Sequence, residues 1–435
     1  MVLSPWREST RAKHYNCKNN MRSFRVGLLL GWRQLQRASL WTTGLIVFVM
    51  MITFLNLVAV SGILVGLIVG SERAFEQQSI GSVTITPLDT EDYIQNSDVI
   101  ANILQQTPGV VDFSVRYTSA GSITADYRSR QSPNDEPDQI SARLTGIDPT
   151  REDAVTRLSE SVVEGDYFLP DDTNALLIGI LNLERYSENF PDFTNSLTAA
   201  FPGDTVLLTI GSVSQEFVVR GIVDSKVGDV SSAIFIPERE LRRLIGRASD
   251  QADRIAVRLD QAVPPERVQS QLDQAGLADS AKIRTFDEAL PKFLIDIKNT
   301  FNVLGTFIGS IGIIVASITI FIIIFINALS RRQQIGILKG IGIDRRAIEI
   351  AYVFQAAVYA LAGSLLGVLI IYGFLIGYFE RKPIDFPFSD GILVAEPLTT
   401  LTRFCVLFVI TLIAGFIPAW MIAKQNTLNA ILGRN

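Results

Sequence analysis

Residues 330–346, SRRQQIGILKGIGIDRR, form a charged, glycine-punctuated block between two long apolar runs. The run before it, 299–329, and the run after it, 350–379, contain no Asp, Glu, Lys, Arg or His. Each exceeds the roughly 20 apolar residues that cross a bilayer as a helix. Two further windows, 42–70 and 404–423, are equally free of charge, so the sequence predicts four transmembrane helices. About 230, 20 and 24 residues separate the four windows, which places one large domain between the first and second spans and only short connections elsewhere.

Basic flanks set the expected orientation. Arg7, Arg11, Lys13, Lys18, Arg22, Arg25, Arg33 and Arg37 precede the first span against the single acid Glu8. Excess Lys and Arg stay on the cytoplasmic side. Both termini and the 330–346 loop, with Arg331, Arg332, Lys339, Arg345 and Arg346, are therefore expected in the cytoplasm, and the large insertion outside it. Between Ser71 and Lys298 the chain holds 37 acidic and 21 basic residues, an acidic balance that argues against a nucleic-acid partner. After Met21, RSFRVGLLLGWRQLQRAS reads as an amphipathic helix lying on membrane lipid at the inner face, and residues 1–20 read as structureless.

The expected organisation is a cytoplasmic tail and amphipathic helix (1–41), a first span (42–70), an extracytoplasmic α+β domain (71–291) with a distal lobe at about 130–245, a stalk and second span (292–329), a cytoplasmic loop helix (330–349), a third span (350–379), an outer loop (380–402), a fourth span (403–423) and a cytoplasmic tail (424–435). Within the insertion, GDTVLLTIGSVSQEFVVRGIVDS (203–225) alternates as strands around the turn Gly211-Ser212, and AIFIPERELRRL passes from strand to helix at Pro237. SRQSPNDEPDQ reads as a loop. From Pro291, the helical spacing of Phe293, Ile297, Phe301 and Leu304 carries the second span back into a stalk.

Catalytic chemistry finds little support. The single histidine, His14, lies in the leading tail near Cys17; the other cysteine is Cys405, so the outer domain has neither a disulfide nor a His-based metal or nucleophile site. The carboxylate pairs Asp171-Asp172 and Asp287-Glu288 are adjacent and read as surface or capping groups. Gly336, Gly340 and Gly342 match neither a dinucleotide nor a phosphate-loop pattern, so no catalytic, cofactor or metal residue is assigned. The spans instead carry small-residue spacing at Gly62, Gly66 and Gly70, at Gly305 and Gly309, at Gly363 and Gly367, and at Gly373 and Gly377, which permits close helix packing. In the opening block, helical spacing puts Ile335, Leu338, Ile341 and, less closely, Arg345 on one side, with Lys339 flanking. That is either a basic turn or a short helix whose apolar ridge, with Ile337 beside it, seats in a partner.

The stretch RRQQIGILKGIGIDRRAIEIAYVFQAAVYALAGSLLGVL resembles the C-terminal core of FtsX-like, MacB-like ABC transporter permeases, the type VII systems that include LolC and LolE. Gln334 stands where that family usually has Glu. AGFIPAWMIAKQNTLNAIL is similar to the family's closing motif through Pro418, Ala419 and Ala423, with Leu428 replacing a second proline. GDTVLLTI, RGIVDS and AIFIPERELRRL resemble pieces of the MacB-type outer domain. The resemblance implies an FtsX-like permease domain at about 300–430 in a bacterial inner-membrane protein. It implies a dimer with a second permease copy or paralogue, and a separate cytoplasmic ABC ATPase that binds the ATP. It further implies coupling through Ile335, Ile337, Leu338, Lys339, Ile341 and Arg345, and mechanotransmission to the outer domain. Release or export of a lipoprotein, peptide, lipid or hydrophobic compound is the function implied, with a periplasmic adaptor or extracellular partner as a further expected partner. The alternative within the resemblance is an FtsX-like regulatory subunit that switches an extracellular cell-wall hydrolase.

Overall fold

The computed structural model describes residues 23–128, 137–170, 172–187, 196–382, 384–386, 389–391 and 393–424. His14, Cys17, most of the SRQSPNDEPDQ segment, Asp171 and the closing tail with Leu428 lie outside the described residues. The chain divides into two compact units, one holding most of the spans and one holding residues 68–297 with 385–390.

In the first unit, four helices among the described residues are long and apolar enough to cross a membrane. They are Leu40–Phe75, continued by a wider turn at Glu76–Ile80, then Lys292–Ser330, Arg345–Ile370, continued to Arg381, and Pro397–Lys424. The third helix starts at Arg345 and the fourth at Pro397, each several residues before the uncharged window begins. Charge marks where a helix meets water, whereas the helix itself runs on until a cap or proline stops it. Met50, Phe54, Leu57 and Val58 of the first span pack with Ile320 and Ile324 of the second, Tyr352, Ala356 and Ala360 of the third, and Leu407 and Ala414 of the fourth.

The second unit is the α+β domain. Its strands are β1 (Val83–Thr86), β2 (Ile94–Gln95), β3 (Val110–Thr124), β4 (Gln139–Ile147), β5 (Val162–Gly165), β6 (Ala175–Gly179), β7 (Thr205–Ile210), β8 (Val213–Val223), β9 (Ala233–Pro237), β10 (Gln251–Ala252), β11 (Arg254–Leu259) and β12 (Lys282–Thr285). Ten of them form one mixed sheet in the order β12-β1-β11-β3-β4-β9-β6-β8-β5, with β7 joining β8 back to β3. The pairings β3-β4-β9-β6-β8-β7-β3 therefore close a ring of six strands. A closed ring has no free edges among its members, and its inward residues, including Ile123, Leu144, Leu176, Val206, Phe217 and Ile234, form a buried core.

The 15-residue strand β3 serves both lobes. Its first half pairs with β11 and, through Phe113, joins a second core of Val83, Ile85, Ile255, Val257 and Ile283 covered by helices Ser97–Gln106 and Pro265–Gln274. Its second half enters the ring, where Tyr117 and Ile123 join the ring's core. Gly211 takes φ +57° in the two-residue connection between β7 and β8, a conformation that a side chain would oppose. Pro237 ends β9 and caps helix Glu238–Ile245, which stops at Gly246 with φ +64°.

Candidate coupling site

The opening block folds as two helices around a short turn. The loop helix spans Arg332–Gly340 and gives way to Gly342 at φ +92°. Ile343 N–H donates to the Leu338 carbonyl and Gly342 N–H to the Lys339 carbonyl, both at 3.0 Å. These two bonds satisfy the last carbonyls of a helix only when the residue between them is left-handed, which glycine allows at little cost. Asp344 then caps the third span, accepting from Arg346 N–H at 3.3 Å and from Ser23 Oγ at 2.9 Å.

The ridge read from the sequence divides in space. Ile335 is 3 % exposed and joins the apolar cluster of the spans, so it presents nothing to a partner. Leu338 is half-buried, while Ile337 and Ile341 are 56 % and 72 % exposed. Four residues apart, those two lie on one face. The face expected to meet a partner is thus partly consumed by the bundle, because the nearest apolar surface to Ile335 is the helix ends beside it. Lys339 Nζ donates to the Ala423 carbonyl at the end of the fourth span, at 3.1 Å. Burial first, and then the Arg345 charge, pull the Lys339 pKa below its ordinary value. Arg345 pairs with Glu349 at 2.8 Å and lies over the Trp420 ring, 5.8 Å from its centre.

The small-residue pairs also separate. A Cβ on Gly363 would lie 2.4 Å from Met50 Cβ, and one on Gly367 2.5 Å from Phe54 Cδ1, so these two glycines set the approach of the first and third spans. Gly62 meets Leu393 and the Val394 carbonyl, Gly66 is buried and Gly70 half-buried. Gly305 faces the tip of Leu64 at 3.5 Å and Ser61 Oγ at 3.8 Å, and Gly309 the tip of Leu57 at 3.2 Å. Gly373 and Gly377 have nothing within 4 Å. Sequence reading passed over Gly27 and Gly31, whose added Cβ atoms would meet the Ala347 and Ala351 carbonyls at 2.7 and 2.9 Å. They seat the helix of residues 23–36 on the third span, where Gln355 Nε2 also donates to Gln34 Oε1. The same four-residue spacing was present there, hidden among arginines. Gly415, alone and unpaired in sequence, packs on Ala356 and Ile324.

Other polar candidates serve the fold. Asp172 accepts from Leu169 N–H at 2.8 Å, and Glu288 completes a capping box with Thr285. Among the described residues no group of three His, Cys, Asp or Glu side chains could hold a metal ion.

Four helices long and apolar enough to span, an inserted α+β domain and a short helix between the second and third of them are the architecture of a multi-pass membrane protein with one large inserted domain. Family comparison agrees: residues 43–275 match the MacB-like periplasmic core domain and residues 306–427 the FtsX-like permease C-terminal domain. The chain belongs to the FtsX-like, MacB-like family of ABC transporter permeases and is a multi-pass membrane protein.

Its relatives include the probable export ATP-binding/permease protein MacB of Pseudomonas entomophila, 25 % identical over 185 residues, covering 41 % of this chain and 26 % of that protein. The macrolide export ATP-binding/permease protein MacB of Agrobacterium fabrum is 26 % identical over 202 residues, covering 43 % and 28 % respectively. The matched segment is thus little more than a quarter of those relatives' length. Among solved structures, the periplasmic region of MacB from Actinobacillus actinomycetemcomitans aligns with TM-score 0.34 and 17 % identity over 48 % of this chain and 91 % of that one. The extracellular domain of the noncanonic ABC-type transporter YknZ from Gram-positive bacteria aligns with TM-score 0.32 and 16 % identity, over 47 % and 98 %.

Proposed function

We propose that this chain is the permease subunit of a type VII ABC system. A separate cytoplasmic ATPase binds and hydrolyses ATP, two permease copies pair, and the outer domains move to release or export a lipoprotein, peptide, lipid or hydrophobic compound. The carrying observation is the exposed Ile337 and Ile341 pair on a helix whose opposite side is held by the spans through Ile335 and Lys339. An apolar pair left in water on a fixed helix suits a groove in a partner. Residue flanks rich in arginine support placing this loop on the ATPase side. Two unbroken helices, Leu40–Phe75 and Lys292–Ser330, border the insertion, and continuous helices suit transmission of movement.

Co-purification of an ABC ATPase with the full chain, and ATP hydrolysis by the reconstituted pair, test this reading. Fully burying an isoleucine contributes roughly 1.5–3 kcal/mol, and a carboxylate in its place adds a desolvation cost. The double substitution Ile337→Asp and Ile341→Asp should therefore weaken association by about tenfold or more. Lys339→Ala, which removes one tether while the buried Ile335 still holds the helix, should do much less. Wild-type association and hydrolysis in the double variant would refute the coupling assignment.

A further inference from the structure

One face of the outer sheet is polar, and once its paired charges are set aside two guanidinium groups remain there for one carboxylate. The register puts Arg254 of β11 directly opposite Arg116 of β3, and Thr118, two residues on, opposite Thr145 of β4. Arg143, two residues before Thr145 along β4, points to the same face, since side chains alternate along a strand. The odd-numbered neighbours on β3, Phe113 and Tyr117, point into the cores, so this face is the one left over from folding. It borders a cavity of about 400 Å³ lined by Arg116, Arg143, Arg254, Thr118, Thr145 and Asp229, among others.

Two of the three carboxylates on this wall are already matched. Arg116 donates through Nε and Nη2 to both Glu152 oxygens, at 2.9 and 2.7 Å, and Glu152 is 2 % exposed. Asp253 pairs with Arg247 and accepts from Thr118 N–H at 2.6 Å. By contrast, neither Arg143 nor Arg254 forms an ion pair with any described residue, and both remain open to solvent. Two guanidiniums thus face the single carboxylate Asp229. Like charges held together in a concave site are costly, and an anion relieves that cost.

We propose that this cavity is a phosphate-binding site, with Arg143 and Arg254 as its anion-holding residues and the hydroxyls of Thr118 and Thr145 as further donors. A guanidinium fork matches two oxygens of one oxyanion edge. A tetrahedral phosphate offers several such edges to arginines arriving from different strands, whereas a carboxylate has one. The site lies wholly within the α+β domain and is independent of the coupling helix.

The test uses the full chain in detergent, in phosphate-free buffer at low salt, with calorimetric titration of two probes. Inorganic phosphate represents the free anion, and dioctanoyl phosphatidic acid represents a lipid headgroup. Saturable binding of either probe is expected, weakened at least tenfold by Arg254→Ala and by Arg143→Ala and unchanged by Arg128→Ala, a surface control. Tighter binding of the lipid than of phosphate assigns the site to a headgroup; equal or weaker binding assigns it to phosphate itself. If Arg254→Ala does not fold, Arg143→Ala on its exposed strand position decides alone. Absence of saturable binding of both probes, or binding indifferent to the substitutions, overturns the proposal.

Discussion

Gly363→Ala isolates the close approach of the first and third spans. The added methyl would lie 2.4 Å from Met50 Cβ and 3.0 Å from both the Met51 nitrogen and the Val47 carbonyl oxygen. Carbon atoms rest at about 3.5–4.0 Å, so the gap to Met50 must open by roughly 1 Å. Backbone atoms lie on the same side, which prevents a side-chain rotation from absorbing the clash. The helices must part, and Met50 and Phe54, both fully buried, lose contact with the third span. Overpacking of this kind costs about 1–3 kcal/mol. Gly377→Ala supplies the control, since its methyl meets nothing within 4 Å. Alanine favours helix over glycine by up to about 1 kcal/mol, so the control should be neutral or slightly stabilising. Equilibrium unfolding of the full chain by denaturing detergent reads both. Equal stability of Gly363→Ala and Gly377→Ala would refute the claim that these glycine pairs differ in role.

Arg116→Ala should destabilise the outer domain by about 3–5 kcal/mol, because it strands the buried Glu152 carboxylate. Replacing the two together, Arg116→Met with Glu152→Leu, should cost less, and thermal unfolding that ranked the double variant below the single one would contradict this account. Orientation is checked by single cysteines in a background lacking Cys17 and Cys405: Ser212→Cys, on the exposed β7–β8 turn, should react with an impermeant thiol reagent in intact cells, and Ser330→Cys should not.

The spans and the inserted domain were legible because they rest on signals that a single sequence carries in full. Charge is excluded from 299–329 and 350–379 for one reason, the cost of burying it in hydrocarbon, and no tertiary contact is needed to see that. The β7–β8 hairpin was legible for a similar reason, since its alternation and Gly211 are local. Closure of the six-strand ring was not. It depends on Ile123 pairing with both Ile140 and Leu208, and nothing in the neighbourhood of any of these three residues specifies the other two. The same holds for β3, whose first half and second half read alike as alternating strand although they enter different cores.

The candidate site shows how periodicity can locate a helix and still misassign its faces. Ile335, Ile337, Leu338 and Ile341 are all apolar, and spacing groups Ile335 with Leu338 and Ile341, whereas in the structure Ile341 is exposed together with Ile337. Which side turns outward depends on the apolar cluster that Ile335 shares with Ile348 of the next helix, and on the tether from Lys339 to the Ala423 carbonyl. Both are set by the turn at Gly342 and by the end of the fourth span, more than eighty residues on. Once those are in place the bundle takes Ile335, because burial beside existing apolar side chains needs no further ordering. Ile337 and Ile341 are then left over, and a fixed helix with two unburied isoleucines has a stronger claim as a docking surface than a continuous ridge free to fold back on its own spans.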